Sequence, residues 1–221
     1  MYKINDLLDL NHTIAAKLFD GKTYPWEVLP EIGDFIVALG QTLPADEFDH
    51  PAENVWIAKD ATVFASAYIN GPCIIDHGAE IRQCAFIRGN ALVGKNAVVG
   101  NSCELKNAVL FDNVQAPHFN YVGDSVLGYK SHMGAGSITS NVKSDKTLVV
   151  IKSKDEQIPT GRKKVGAMLG DYADIGCNSV LCPGSVIGRR SRVYPLSRVR
   201  GVVPADHIFK DPDHVVVKEE R

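Results

Sequence analysis

Residues 57–103 read IAKDATVFASAYINGPCIIDHGAEIRQCAFIRGNALVGKNAVVGNSC, and their period decides the fold. An aliphatic residue stands at Ile57, Val63, Ile69, Ile75, Ile81, Ile87, Val93 and Val99, six apart without a miss. Four residues after each comes a small one: Ala61, Ala67, Cys73, Ala79, Ala85, Ala91, Ala97 and Cys103. A helix needs a period near 3.6 and a half-buried strand a period of two, so neither explains a period of six. One flat side of a three-sided coil does, with the aliphatic residue inward and the small residue at a tight corner. Three hexads make a turn of about 18 residues, and stacked turns pair their backbones in parallel. The same period returns at Leu169, Ile175, Leu181, Ile187, Val193 and Val199, with Ala173, Ser179, Ser185, Ser191 and Ser197 at the corners. The reading is all-β, a parallel β-helix over residues 55–203.

Outside this frame the chain changes character. Residues 1–54 carry apolar residues at helical spacing, around Leu7-Leu8 and from Thr13 to Phe19. Asn5 and Asn11 are candidate caps, and Pro25 and Pro30 are breaks. This segment is expected to be a helical cap over one end of the stack, where a raw edge would otherwise remain. The period slips at Glu104–Ala108 and between Val122 and Leu127, then breaks over residues 142–166. That insert is polar and basic, with Lys143, Lys146, Lys152, Lys154, Arg162, Lys163 and Lys164, and reads as a long loop without structure of its own. The charged residues 204–221 read as a solvated tail.

Composition excludes several classes. With 24 Lys+Arg against 26 Asp+Glu, the chain lacks the strongly basic face that nucleic-acid binding needs. No apolar run approaches a membrane span, and the N-terminus does not read as a signal peptide. Five scattered cysteines form neither a disulfide framework nor a CxxC metal pair, which fits a reduced, cytoplasmic setting. Cys73 and Cys103 occupy small-residue positions and read as core filling.

In a solenoid with a dry core, chemistry belongs where the period fails. His118 follows Pro117 near a slip and can take up a proton at neutral pH. Arg88 and Lys106 lie 18 residues apart, one coil, so they stack on one side as an anion site. Glu104 is a candidate partner for His118 or Lys106, and Gly134-Ala135-Gly136 would let a ligand approach the backbone closely. The dull readings are a surface histidine and solvated outward cations.

The segments Glu104-x-Lys106, His118-Phe-Asn-Tyr121-Val-Gly-Asp124 and Met133-Gly-Ala-Gly-Ser-Ile-Thr-Ser-Asn141 resemble those of a known family. It is the acetyltransferase half of bifunctional glucosamine-1-phosphate acetyltransferase/N-acetylglucosamine-1-phosphate uridyltransferases. The resemblance runs from about Arg88 to Val203. It implies a left-handed β-helix, an exception to the usual crossover hand. It also implies a homotrimer with sites at the seams, acetyl-CoA as co-substrate and no catalytic metal. On the matching positions, His118 is the general base toward the sugar amine, and Arg88 and Lys106 hold the sugar phosphate. Tyr121 and Asn141 bind substrate, and Ala135, Cys177 and Pro195 line the acetyl-CoA site. An amide near Ala135 is placed to stabilise an oxyanion.

The chain departs from that pattern at His132, where the family has a substrate-binding asparagine, and at Val142, where it has tyrosine. The insert is longer than the family's loop, and no glycine-rich nucleotidyltransferase loop precedes the repeat. The expected activity is acetyl-CoA-dependent N-acetylation of an amino-sugar phosphate or nucleotide-linked amino sugar. The alternatives are a non-catalytic assembly module and a relative that carries a nucleotidyltransferase label without that domain. A zinc β-helix enzyme would need three converging histidines, and His77, His118 and His132 lack its spacing.

Overall fold

In the computed structural model, which describes residues 1–219, the chain is the expected left-handed parallel β-helix of hexapeptide repeats. Short strands stack on three faces. The first face runs from Thr62–Val63 through Val98–Asn101, Gln115–His118 and His132–Met133 to Asp174–Ile175 and Arg192–Val193. The second holds Tyr68–Ile69, Phe86–Ile87, Ile138–Thr139, Val180–Leu181 and Arg198–Val199. The third holds Val55–Ala58, Cys73–Ile75, Ala91–Val93, Ala167–Leu169, Ser185–Ile187 and Val202–Val203. Two longer strands, Glu104–Leu110 and Tyr121–Leu127, bend across the second and third faces.

The hexad residues fill the interior, and Ile75, Ile81, Ile87, Val93 and Val99 are wholly buried. At the corners the small residues let the chain turn, and serine adds a bond. Ser137 Oγ donates to Gly134 O at 2.7 Å, and Ser185 Oγ to Cys182 O at 2.7 Å. A buried hydroxyl thus finds its acceptor in a corner carbonyl that the corner backbone amide also bonds.

The slip has a plain geometric form. Leu105 pairs with Ile87, eighteen residues back, whereas Ala108 pairs with Ala91, seventeen back. One residue is missing from the corner between the second and third faces, at Lys106-Asn107. The next coil keeps the seventeen-residue offset from Tyr121 to Leu127, so the second apparent slip is the same short corner repeated. One coil later the insert leaves from that corner.

Three expectations about the flanks are corrected. The N-terminal segment does not close the end of the stack; it runs along the third face. Helix Ile32–Gly40 packs on the strands of that face with Ile32 and Ile36 buried. A Cβ on Gly40 would lie 2.4 Å from the Trp56 ring, so glycine permits the contact. Further toward the N-terminus, Leu7 O accepts from Asp171 N, and Tyr2 Oη from Ala205 N. The first coil is thereby left thinly covered, with Val63 37% exposed.

The insert is not structureless. Strands Val150–Lys152 and Gln157–Pro159 form an antiparallel hairpin, closed at its root by a Val142–Lys164 bridge. Val149 and Ile151 are wholly buried, packed over Gly184. The tail is ordered too: His207–Asp211 extends the first face and His214–Val217 folds back on it antiparallel. Glu220 and Arg221, part of the expected solvated end, lie outside the described residues.

Candidate active site

The shortened corner gathers polar side chains that a regular corner would spread out. Lys106 points to Asp124 one coil on, with Nζ 3.0 and 3.2 Å from the two carboxylate oxygens. Asp124 is 2% exposed and takes two more donors, Asn107 Nδ2 at 3.0 Å and Asn141 Nδ2 at 2.5 Å. A buried carboxylate needs such a full set of donors to stay charged. Asn141 Nδ2 also reaches Tyr121 Oη at 3.2 Å. A Cβ on Gly123 would lie 2.5 Å from that hydroxyl, so glycine lets the tyrosine ring lie along the strand toward the corner. Burial pushes the Tyr121 hydroxyl above its usual range, so it stays a neutral donor.

Arg88 stands one coil from Lys106 on the same corner and is bound to Glu104, 2.7 Å away. Glu104 therefore serves Arg88 rather than His118 or Lys106. Each stacked cation already faces a carboxylate. Opposite them, at the root of the insert, stand Arg162, Lys163 and Lys164, which have no ion pair among the described residues. Together with Lys106, Asn90, Asn107 and Leu29-Pro30 of the N-terminal segment they line a groove of about 500 Å³. The Arg162 Nε is buried without a hydrogen-bond partner.

The other edge of the second face is differently built. His118 ends its first-face strand, exposed, and its ring has no partner among the described residues. Below it, the corner between the first and second faces carries Ala135, Cys177 and Pro195 in a column. Gly136 N donates to His118 O, Asn178 N to Ala135 O, and Leu196 N to Cys177 O. The Gly134 amide is spent on Ile175 O. Of the three amides in Gly134-Ala135-Gly136, only that of Ala135 has no acceptor among the described residues.

The predicted residues thus fall into two groups. Arg88, Lys106, Tyr121 and Asn141 meet at one edge; His118, Ala135, Cys177 and Pro195 share the other. Between the edges lies a strand of three residues, Tyr121 to Gly123, roughly 10 Å of chain. His132 joins neither group. It sits on the first face, where Nδ1 is 2.9 Å from Asp174 Oδ1. That hydrogen bond holds the Asp174 carboxyl below its usual range. His77, bound to Asp60 and Glu47, is remote from both other histidines of the zinc alternative. Among the described residues no cluster of His, Cys, Asp and Glu could hold a metal, and no helix is long and apolar enough to cross a membrane.

Asp124 and Asn107 were not singled out as site residues by sequence, and the Arg162–Lys164 run was read as a solvated loop or as a reach toward the coenzyme A 3′-phosphate or a neighbouring subunit. The signal for Asp124 was present: it lies 18 residues from Lys106, the same spacing that joins Lys106 to Arg88.

Residues 69–154 match the family described as GMPPB C-terminal domain. The chain is 34% identical over 156 residues to a bifunctional sugar-1-phosphate nucleotidylyltransferase/acetyltransferase of Sulfurisphaera tokodaii. That match takes in 71% of this chain and 39% of the relative. It is 30% identical over 200 residues to a bifunctional protein GlmU of Methanococcus maripaludis, covering 89% of this chain and 48% of that one. The chain therefore spans between two-fifths and half of the length of these curated relatives. Among solved structures, a Francisella novicida UDP-N-acetylglucosamine acyltransferase is similar at 13% identity and a TM-score of 0.47. Its match covers 71% of this chain and 63% of that one.

Proposed function

We propose that this chain transfers the acetyl group of acetyl-CoA to the amine of a sugar that carries a phosphate or nucleotide. The observation that carries the reading is the pair of edges on the second face: a free, exposed histidine on one and a cation-lined groove on the other. The sequence similarity to bifunctional sugar-phosphate nucleotidylyltransferase/acetyltransferases supports the reaction class.

In this reading His118 takes a proton from the neutral sugar amine as that amine attacks, which its exposure and lack of a partner leave it free to do. The nitrogen attacks the thioester carbonyl, the carbon–sulfur bond breaks, and the leaving thiolate takes up a proton, the His118 imidazolium giving up the one it took, so that coenzyme A leaves as the thiol. The unspent Ala135 amide faces the developing oxyanion. Cys177 and Pro195, lower on the same column, line the path of the coenzyme. Cys177 acts as wall and not as nucleophile, since no neighbouring base marks an activated thiolate.

Lys106, Arg162, Lys163 and Lys164 receive the acceptor's phosphate, with Arg88 beside them, while Tyr121 and Asn141 bind its sugar. The separation of the edges supports a site assembled at the seam of a homotrimer, one neighbour giving His118 and the next the groove. His132, held by Asp174, stays outside this acceptor site.

The test is release of free coenzyme A across a panel of amino-sugar phosphates and nucleotide-linked amino sugars. Thiol release with at least one acceptor, lost in His118→Gln, is the expected result. No release across the panel, or full activity in the variant, overturns the reading. A non-catalytic module would bind acetyl-CoA saturably and turn nothing over.

A further inference from the structure

Among the described residues, Asp124 is the one carboxylate lining the groove, and it is linked to every wall directly or through one asparagine. It holds Lys106, on the floor, by two contacts. Through Asn141 it holds the root of the insert, since Asn141 O accepts the amide of Val165 beside the Val142–Lys164 bridge. Through Asn107 it holds the N-terminal segment. Asn107 Nδ2 donates both to Asp124 Oδ1 at 3.0 Å and to Leu29 O at 3.1 Å, where the segment turns into the groove. Asn107 and Asp124 both occupy the left-handed backbone region, φ 52° and 48°, as the short corner requires. Three consecutive coils and two flanking segments therefore converge on one side chain.

We propose that Asp124, working with Asn107, is a positioning residue. It aims Lys106 and Asn141 into the groove and ties the insert root and the Leu29-Pro30 turn to a single geometry, making the N-terminal segment a wall of the acceptor site. This rests on the reading of the groove as the acceptor site. A second consequence concerns charge. Asp124 offsets Lys106, so the groove's net attraction for an anion comes from Arg162, Lys163 and Lys164, and the ammonium of Lys106 is oriented before the anion arrives. An asparagine at 124 keeps the shape but offers an NH2 where Lys106, Asn107 or Asn141 now donates, so one of the three must turn away.

The experiment pairs kinetics with hydrogen exchange on the full chain. In Asp124→Asn the KM for the acceptor rises at least tenfold while the KM for acetyl-CoA stays within twofold. A merely structural defect would lower kcat through lost active protein and leave both KM values alone. In the same variant, amides of residues 26–36 and 160–166 exchange at least tenfold faster, while the strands of the first face do not change. Asn107→Gly keeps the Lys106–Asp124 pair and the left-handed backbone, and speeds exchange only in residues 26–36. It serves equally if Asp124→Asn does not fold. If the wild type transfers no acetyl group, the function falls but the exchange data still decide the positioning claim. An unchanged acceptor KM in active Asp124→Asn, or unchanged exchange at both walls, overturns it.

Discussion

The two edges of the second face are built from the same repeat and made different by one missing residue. At the edge toward the first face the corners keep full length, the small residues stack, and His118 protrudes with its ring unbonded. At the edge toward the third face the corner is a residue short in two successive coils, and Lys106, Asn107, Tyr121, Asp124 and Asn141, which the notch brings together, are bonded to one another. The difference separates two demands. A proton acceptor has to be free, whereas a binding site gains from side chains ordered in advance.

The sharpest way to break the comparison is to remove the free group. His118→Gln is expected to lower kcat about 10²–10⁴-fold, the usual contribution of a positioned base, with little change in melting temperature. If the melting temperature falls with the rate, the histidine is structural and the contrast fails.

The next effect is on the bonded edge. Lys106→Met leaves Asp124 buried with one donor fewer, and should cost about 3–5 kcal/mol of stability in chemical denaturation. A loss below 1 kcal/mol would mean that Asp124 is not held as a charged group.

Mixing sharpens how the edges meet. Separately inactive His118→Gln and Arg162→Ala/Lys163→Ala/Lys164→Ala chains, unfolded and refolded together, should recover roughly a quarter of wild-type activity if neighbouring chains supply the two edges. No recovery would place both edges of one site in the same chain.

The smallest effect concerns the residue outside both groups. The hydrogen bond from His132 lowers the folded pKa of Asp174, so its stabilisation is complete above the unfolded carboxyl value near 3.9. It is lost as pH falls through the lower folded value. Both side chains are nearly half exposed, so His132→Ala should cost less than about 1 kcal/mol at neutral pH and flatten the acid limb of the stability curve. Acetyl transfer should survive this change.

Much of this was readable in the residues. The unbroken hexads from Ile57 to Val99 gave the faces, because burial on one side of a flat coil leaves no other period. The site was approached through the loss of that period, and Lys106 does stand at the short corner. Asp124 escaped because one-coil spacing was applied to like charges only, though the same spacing joins opposite charges. The insert hid its hairpin because seven basic residues outweighed Val149, Val150 and Ile151 in its average polarity. In the tail, Asp211-Pro212-Asp213 between two apolar runs is a turn signal that net charge obscured. The N-terminal segment showed which residues it buries, but helical period does not say against which surface, and the third face won over the open end.

The central question is whether the two edges serve one reaction. A crystal structure with coenzyme A and a glucosamine phosphate tests this most directly. It should show the coenzyme along Ala135, Cys177 and Pro195, the sugar amine beside His118, and the phosphate against Lys106 and Arg162. Coenzyme bound away from that column, or a sugar phosphate that leaves the groove empty, would contradict it.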